Sequence, residues 1–117
     1  MQDKDIDEFL MLAGFKKRHR GFDYIKYAII KFCESNYDSR VLGVSLYKEL
    51  ANVHGKTAKT VEKNITCAIE SAYLRGDMDY MCEMGLIFDN MRGRPTNCEF
   101  IATSAVNLSL KDSFKSS

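Results

Sequence analysis

The sequence predicts an all-α domain of about six helices, and three observations support this fold class. The 117 residues are enough for one domain that buries a core without help from disulfides or metals. Apolar residues recur at intervals of three and four along most of the chain, which is the period of an α-helix. The single proline, Pro95, favours helices over many short strands. We therefore expect one domain over residues 1–117, with a core at about 5–110 and a frayed tail at 111–117.

The composition excludes several classes of protein. Hydrophobic residues make up 45% and charged residues 28% of the chain, as in a folded globular protein rather than a disordered one. No apolar run approaches the roughly 20 residues that span a bilayer, and the acidic amino terminus lacks a signal-peptide pattern. The four cysteines form no C-x-x-C pair. We expect a cytoplasmic protein with no membrane partner, metal or cofactor, whose cysteines pack in the core, although a disulfide between two of them stays open.

Each of the first three predicted helices combines an apolar stripe with a residue or turn that ends it. The first covers about Asp5–Ala13 and stops at Gly14. The second covers about Phe22–Glu34. The third covers about Leu46–Val53 and is broken by Gly55. Its inward-facing residues are expected to be Leu46, Leu50 and Val53.

The last three predicted helices begin at polar residues. A helix over about Thr57–Arg75 is capped by the hydroxyl of its first residue. A shorter helix covers about Met78–Met84, and the segment 86–94 after it is irregular. Thr96 and Glu99 form a T-x-x-E capping box that starts the final helix.

The junction of the third and fourth helices carries the pattern A-x3-G-x5-V, formed by Ala51, Gly55 and Val61. A small residue lets two helices approach, a glycine accommodates the tight turn, and a branched apolar residue locks the pair. The pattern predicts a helix-turn-helix, although many helical hairpins satisfy it.

The fourth helix has a charged face opposite its apolar stripe. The residues on this face are Lys59, Glu62, Lys63, Thr66 and Glu70. Lysine can donate to guanine O6 and N7, and glutamate can accept from cytosine N4, as in a helix that reads the major groove of DNA. The alternative is that this face only keeps the helix soluble.

The net charge of +1 gives no whole-domain indication of nucleic-acid binding. The basic residues are nevertheless clustered, and they form a basic face if the clusters converge in space. Lys56 and Thr57, at the start of the fourth helix, suit phosphate contact. The clusters are Lys16 to Arg20, then Lys56, Lys59 and Lys63, and finally Arg92 and Arg94.

Two segments carry a family resemblance, VLGVSLYKELANVHGKTAKTVEKNITCAIESAYLRG and RPTNCEFIA. They resemble the carboxy-terminal DNA-binding effector domain of the sporulation master response regulator (stage zero sporulation protein A) of endospore-forming Firmicutes. The similarity covers about Ile6–Leu110. It implies a six-helix, winged-helix-like effector domain that binds double-stranded DNA at short boxes, often as tandem copies, and contacts RNA polymerase sigma factors. Such a protein is bacterial, cytoplasmic and associated with the nucleoid when bound.

The resemblance also implies which residues contact DNA. In the family a glutamate followed by an arginine reads bases, and the matching positions here are Glu62 and Lys63. Thr60 and Thr66 stand where arginines are common, and Lys59 can restore one charge. Base reading is therefore assigned to Lys59, Thr60, Glu62, Lys63 and Thr66. Phosphate contact is assigned to Arg18, Arg20, Lys56, Thr57, Arg92 and Arg94.

The leading hypothesis is a sequence-specific DNA-binding transcription regulator with the helix Thr57–Arg75 in the major groove. Only one helix precedes the basic loop at 16–20, so no phosphoacceptor receiver domain is expected in this chain. The alternative is a protein-interaction module that keeps the fold and modulates a full-length regulator or sigma factor through Asp77–Met84. An enzyme is not expected, because the sequence contains no nucleophile elbow, phosphate loop or metal-ligand cluster.

Overall fold

The computed structural model describes residues 3–87 and 94–116, with side chains as far as position 110. Within these ranges the backbone forms six α-helices and no strand, which confirms the all-α fold class. None of the described helices has the length and apolar character that a membrane span needs. The helices are α1 (Asp3–Leu12), α2 (Arg20–Glu34), α3 (Val44–His54), α4 (Ala58–Arg75), α5 (Met78–Glu83) and α6 (Asn97–Ser116).

The helices begin at the polar residues that the sequence indicated. The Thr57 hydroxyl accepts a hydrogen bond from the backbone N–H of Thr60 at 3.1 Å and caps α4. The Thr96 N–H donates to the Glu99 carboxylate at 2.8 Å, and the Glu99 N–H donates to the Thr96 hydroxyl at 3.1 Å, which completes the predicted capping box. Asp77 caps α5 through the Tyr80 N–H. The backbone of α6 continues as helix to Ser116, beyond the expected limit of the core.

Helix α4 lies at the centre of the fold and packs mainly against α2 and α3, while α6 packs mainly against α2. A stripe of apolar residues at helical spacing faces this core from α4. Each fully buried valine or isoleucine of this stripe contributes roughly 1.5–3 kcal/mol relative to an exposed one. The stripe consists of Val61, Ile65, Ala68, Ile69 and Ala72.

The expected inward position of Val53 is wrong. Leu46 and Leu50 are buried, but the Val53 side chain is 59% exposed. In the last turn of α3 Ala51 is buried and His54 is exposed, and the His54 ring meets the edge of Tyr24 with ring centroids 4.9 Å apart. The buried residues Leu46, Leu50 and Ala51 set the contact face of α3, and by helical spacing Val53 lies at the edge of this face rather than at its centre.

The expectation that the cysteines pack in the core holds for only two of them. Cys33 and Cys98 are half-buried, whereas Cys67 and Cys82 are exposed. All four are free thiols. Cys67 is exposed because it lies on the face of α4 opposite the buried stripe.

Gly21, in the first turn of α2, lies directly against α4. A Cβ atom at this position would be 2.6 Å from the Asn64 carbonyl oxygen and 2.7 Å from the Ala68 Cβ. Both distances are too short for a real side chain, so the absence of a Cβ lets the two helices meet. This contact also holds the preceding basic loop, residues 16–19, beside α4.

Substitution of Gly21 by alanine is expected to lower the free energy of unfolding by roughly 1–3 kcal/mol, because the added methyl group forces α2 away from α4. Gly43 provides the matched control, since a Cβ there has no neighbour within 4 Å. For Gly43→Ala we expect a change within about 0.5 kcal/mol, because the weaker cap and the stiffer unfolded chain oppose each other. Urea denaturation measures both values, and equal stabilities of the two variants would contradict the close approach.

Candidate nucleic-acid interface

The turn between α3 and α4 has the geometry that the A-x3-G-x5-V pattern predicts. Gly55 adopts a left-handed conformation with φ of 64°, and the Lys56 N–H donates to the Ala51 carbonyl at 2.8 Å to close the end of α3. Ala51 and Val61 are both buried between the helices. The small residue, the glycine and the branched residue therefore act as a helix-turn-helix requires, and α4 takes the position of the recognition helix.

The amino-terminal half of α4 presents most of the predicted reading residues to solvent. Lys59, Thr60, Glu62 and Lys63 are all exposed, and so are Lys56 and Thr57 just before the helix. The Thr57 hydroxyl also donates to the Thr60 hydroxyl at 2.9 Å. This part of α4 is thus free to enter a groove with both positive and negative side chains at its surface.

Thr66 differs from the other predicted reading residues because it faces α6. Its side chain is half-buried and exchanges hydrogen bonds with the Asn97 side chain, at 3.0 Å from Asn97 Nδ2 and 3.4 Å to Asn97 Oδ1. Asn97 Nδ2 also donates to the Tyr47 hydroxyl at 3.2 Å. We name Tyr47, Asn97 and Thr66 the polar bridge, since they join α3, α6 and α4.

On the opposite side of α4 the basic loop forms one wall of a surface cleft of about 470 Å³. Both arginines that were predicted to contact phosphate, Arg18 and Arg20, line this cleft. The opposite wall belongs to the outer surface of α4. The residues on that wall are Asn64, Cys67, Ala68 and Ser71.

An acidic residue of α1 holds the basic loop in place. The Asp7 carboxylate lies 3.5 Å from the Lys17 ammonium and 3.0 Å from that of Lys26 on α2, and only 17% of the Asp7 side chain is exposed. An ion pair of this partly shielded kind is less screened by salt than a fully exposed one. Asp7 therefore ties Lys26 of α2 to α1 and also pairs with the more exposed Lys17 of the basic loop, while Gly21 lies against α4.

Arg94, at the start of the segment that leads into α6, is also tied to α4. Its guanidinium lies 3.0 Å from the Glu70 carboxylate, and its side chain is 30% exposed. Arg92 falls outside the described residues, so its assignment to phosphate remains a prediction. Each described basic cluster therefore borders α4, with Arg94 paired to Glu70 and the basic loop on the other side of the helix.

Burial is the main influence on the titratable groups beside the polar bridge. It raises the pKa of the Tyr47 hydroxyl and that of the Cys98 thiol, and the negative charge of Glu62 adds to both shifts. Both groups keep their protons at neutral pH. Among the described residues no group of three or more histidine, cysteine, aspartate or glutamate side chains could hold a metal ion.

The helix-turn-helix, the exposed amino-terminal half of α4 and the bordering basic side chains are features typical of a DNA-binding domain of the regulatory type. The chain belongs to the family described as Sporulation initiation factor Spo0A C terminal, whose model matches residues 6–108. This is a family of DNA-binding effector domains of a sporulation regulator and not a family of enzymes.

Sequence reasoning assigned no role to Tyr47 or Asn97, and it did not foresee the pairing of Glu70 with Arg94. One local signal existed for Tyr47, because it precedes Ala51 by four residues and so shares the face of α3 that meets α4. The partners of Asn97 and Arg94 are distant in sequence, and no periodicity within one helix could reveal them.

Replacement of Thr57 by alanine is expected to lower the free energy of unfolding by about 1 kcal/mol, because the Thr60 N–H at the start of α4 loses its acceptor. Thr57→Ser keeps a hydroxyl at the cap and should unfold within a few tenths of a kcal/mol of the wild type. Urea titration followed by circular dichroism measures both. A Thr57→Ala variant as stable as the wild type would show that the cap contributes nothing.

Proposed function

We propose that the chain is a sequence-specific DNA-binding transcription regulator in which α4 enters the major groove. The observation that carries this proposal is the exposed amino-terminal half of α4, which follows a helix-turn-helix turn and is flanked by basic side chains. A recognition helix uses its amino-terminal residues for base edges, while the first helix of the motif crosses the DNA backbone. Association with DNA would place the protein on the nucleoid.

Base reading is assigned chiefly to Glu62 and Lys63. The Glu62 carboxylate can accept from cytosine N4, and the Lys63 ammonium can donate to guanine O6 or N7. An ammonium is a point charge, whereas the guanidinium of the family's arginine is a planar fork that bonds both guanine acceptors at once. We therefore expect guanine to be recognised with lower selectivity here. Lys59 and Thr60 lie on the same exposed turn and complete the reading surface.

Phosphate contact is assigned to the two sides of α4. Lys56 and Thr57 lie at its amino-terminal end, where the helix dipole favours an anion. Arg18 and Arg20 lie across the cleft on the side of the basic loop. Arg94 can contribute only by exchanging Glu70 for a phosphate. Thr66 is held by Asn97 in the free protein, and we propose that it sets the rotation of α4 in addition to the base contact implied by the family.

The finer partners implied by the family belong to the same proposal. An exposed acidic surface lies at the opposite end of α4 from the turn, where Asp77, Met78, Asp79 and Glu83 are all exposed. This surface would remain accessible while the amino-terminal half of α4 occupies a groove. It suits contact with a basic region of an RNA polymerase sigma factor while copies of the domain occupy tandem boxes.

Two lysine variants distinguish the proposed contacts to DNA bases from the proposed contacts to phosphates. Lys63→Ala should lower affinity for a selected DNA box by about tenfold, near the low end of the 1–3 kcal/mol expected for a base contact, and change binding to mixed-sequence DNA much less. Lys56→Ala should weaken binding to all DNA and reduce the slope of log affinity against log salt by about one. Fluorescence anisotropy across a salt series measures both effects.

Lys4→Ala provides the control, since it removes one exposed lysine from α1, which supplies no residue of the proposed DNA-contacting set. This variant should bind as the wild type does. Absence of a retarded band with any DNA at low salt would overturn the proposed function. If Lys63→Ala and Lys56→Ala lost the same affinity on every DNA, base reading by Lys63 would be contradicted.

A further inference from the structure

Tyr47 lies at the end of the first turn of α3, and its hydroxyl group is oriented by a residue from another helix. The side chain is half-buried, and Asn97 Nδ2 donates to the Tyr47 oxygen at 3.2 Å. A phenol hydroxyl can accept and donate at the same time. Because the oxygen serves as acceptor for Asn97, the O–H proton is left to donate, and burial raises the pKa of this hydroxyl so that the proton is retained.

The surroundings of this hydroxyl include the positive end of a helix and also the negative charge of Glu62 on α4. The polar bridge places it beside the amino terminus of α6, since Asn97 is the first residue of that helix. The positive end of the helix dipole lies there. On α4, Thr66 belongs to the same bridge, and Arg94 lies one turn further along, beside Glu70. This side of α4 therefore combines a neutral donor, a helix amino terminus and a guanidinium that can meet a phosphate only by exchanging Glu70 for it.

The position of α3 indicates which anion would reach this hydroxyl. In a helix-turn-helix the first helix crosses the DNA backbone when the second enters the major groove. The basic loop occupies the other side of α4, so the two sides would meet the two strands that border the groove. A backbone phosphate of one strand then lies nearest the polar bridge.

We propose that Tyr47 is a further DNA-contacting residue whose hydroxyl, held by Asn97, donates a hydrogen bond to a backbone phosphate on the α6 side of α4. This inference rests on the proposed function, because it requires that α4 enter the major groove. It adds a neutral contact to the basic ones and gives the polar bridge a role in binding. Phosphate contacts position a protein on DNA without reading its sequence.

Tyr47→Phe tests the proposal, because it removes the hydroxyl and keeps the ring. A hydrogen bond to a charged group stabilises by roughly 1.5–3 kcal/mol, so we expect affinity to fall about tenfold or more. The loss should be the same on a mixed-sequence duplex and on a box selected by the wild-type protein. The salt dependence should not change, because a neutral hydroxyl displaces no counterion.

Tyr27→Phe is the matched control. Tyr27 is also half-buried, and its hydroxyl donates to the Glu49 carboxylate at 2.9 Å between α2 and α3. Removal of this hydroxyl should affect stability to a similar degree as Tyr47→Phe and leave DNA affinity at the wild-type value. Thermal unfolding of both variants shows whether the two substitutions destabilise the protein to the same degree.

Three outcomes would overturn the inference alone, with the wild-type protein still binding DNA. One is wild-type affinity of Tyr47→Phe for the mixed-sequence duplex. Another is a loss confined to the selected box, which would mean that Tyr47 acts through base reading by Glu62. The third is an equal loss in Tyr27→Phe, which would indicate general destabilisation. Failure of the wild-type protein to bind either duplex would overturn the proposed function together with the inference.

Discussion

The contact between the Gly21 backbone and α4 is the constraint on which most of the candidate interface depends. It brings the start of α2 against the Asn64 carbonyl and the Ala68 side chain. Since the basic loop leads directly into α2, the same contact places Arg18 and Arg20 beside the exposed face of α4. A position without a side chain thus allows two helices to pack closely and, together with the ion pairs of Asp7, brings positive charge next to the reading surface.

Helix α4 combines two roles that compete for its surface. Its buried stripe joins α2 and α3, and the remaining arc must carry both the groups that read DNA and the groups that fix its rotation. The structure separates these along the helix. The exposed charges lie in the amino-terminal turns, whereas Thr66 and Glu70, further along, bond to Asn97 and Arg94. A helix that is held by side-chain contacts at its middle and exposes its first turns loses little conformational entropy when it binds DNA. This favours affinity.

Much of the fold could be predicted from the sequence because caps, turn glycines and helical periodicity are local signals. The six helices begin within one turn of their expected starts, and the turn at Gly55 has the left-handed conformation that its pattern required. The failures involve long-range geometry. Val53 is exposed because it lies at the edge of the face that Leu46, Leu50 and Ala51 bury, and Thr66 faces α6 because a residue 31 positions away bonds to it. The family resemblance pointed to the reading residues but carried no information about Tyr47.

Whether α4 distinguishes one DNA sequence from another is tested most directly by selection of bound fragments from random double-stranded DNA with the wild-type protein. The structure and the family lead us to expect enrichment of one short box containing G·C pairs, since Glu62 and Lys63 offer contacts to cytosine and guanine. Recovery of DNA without any enriched sequence would contradict base reading by α4 and leave only non-specific attachment.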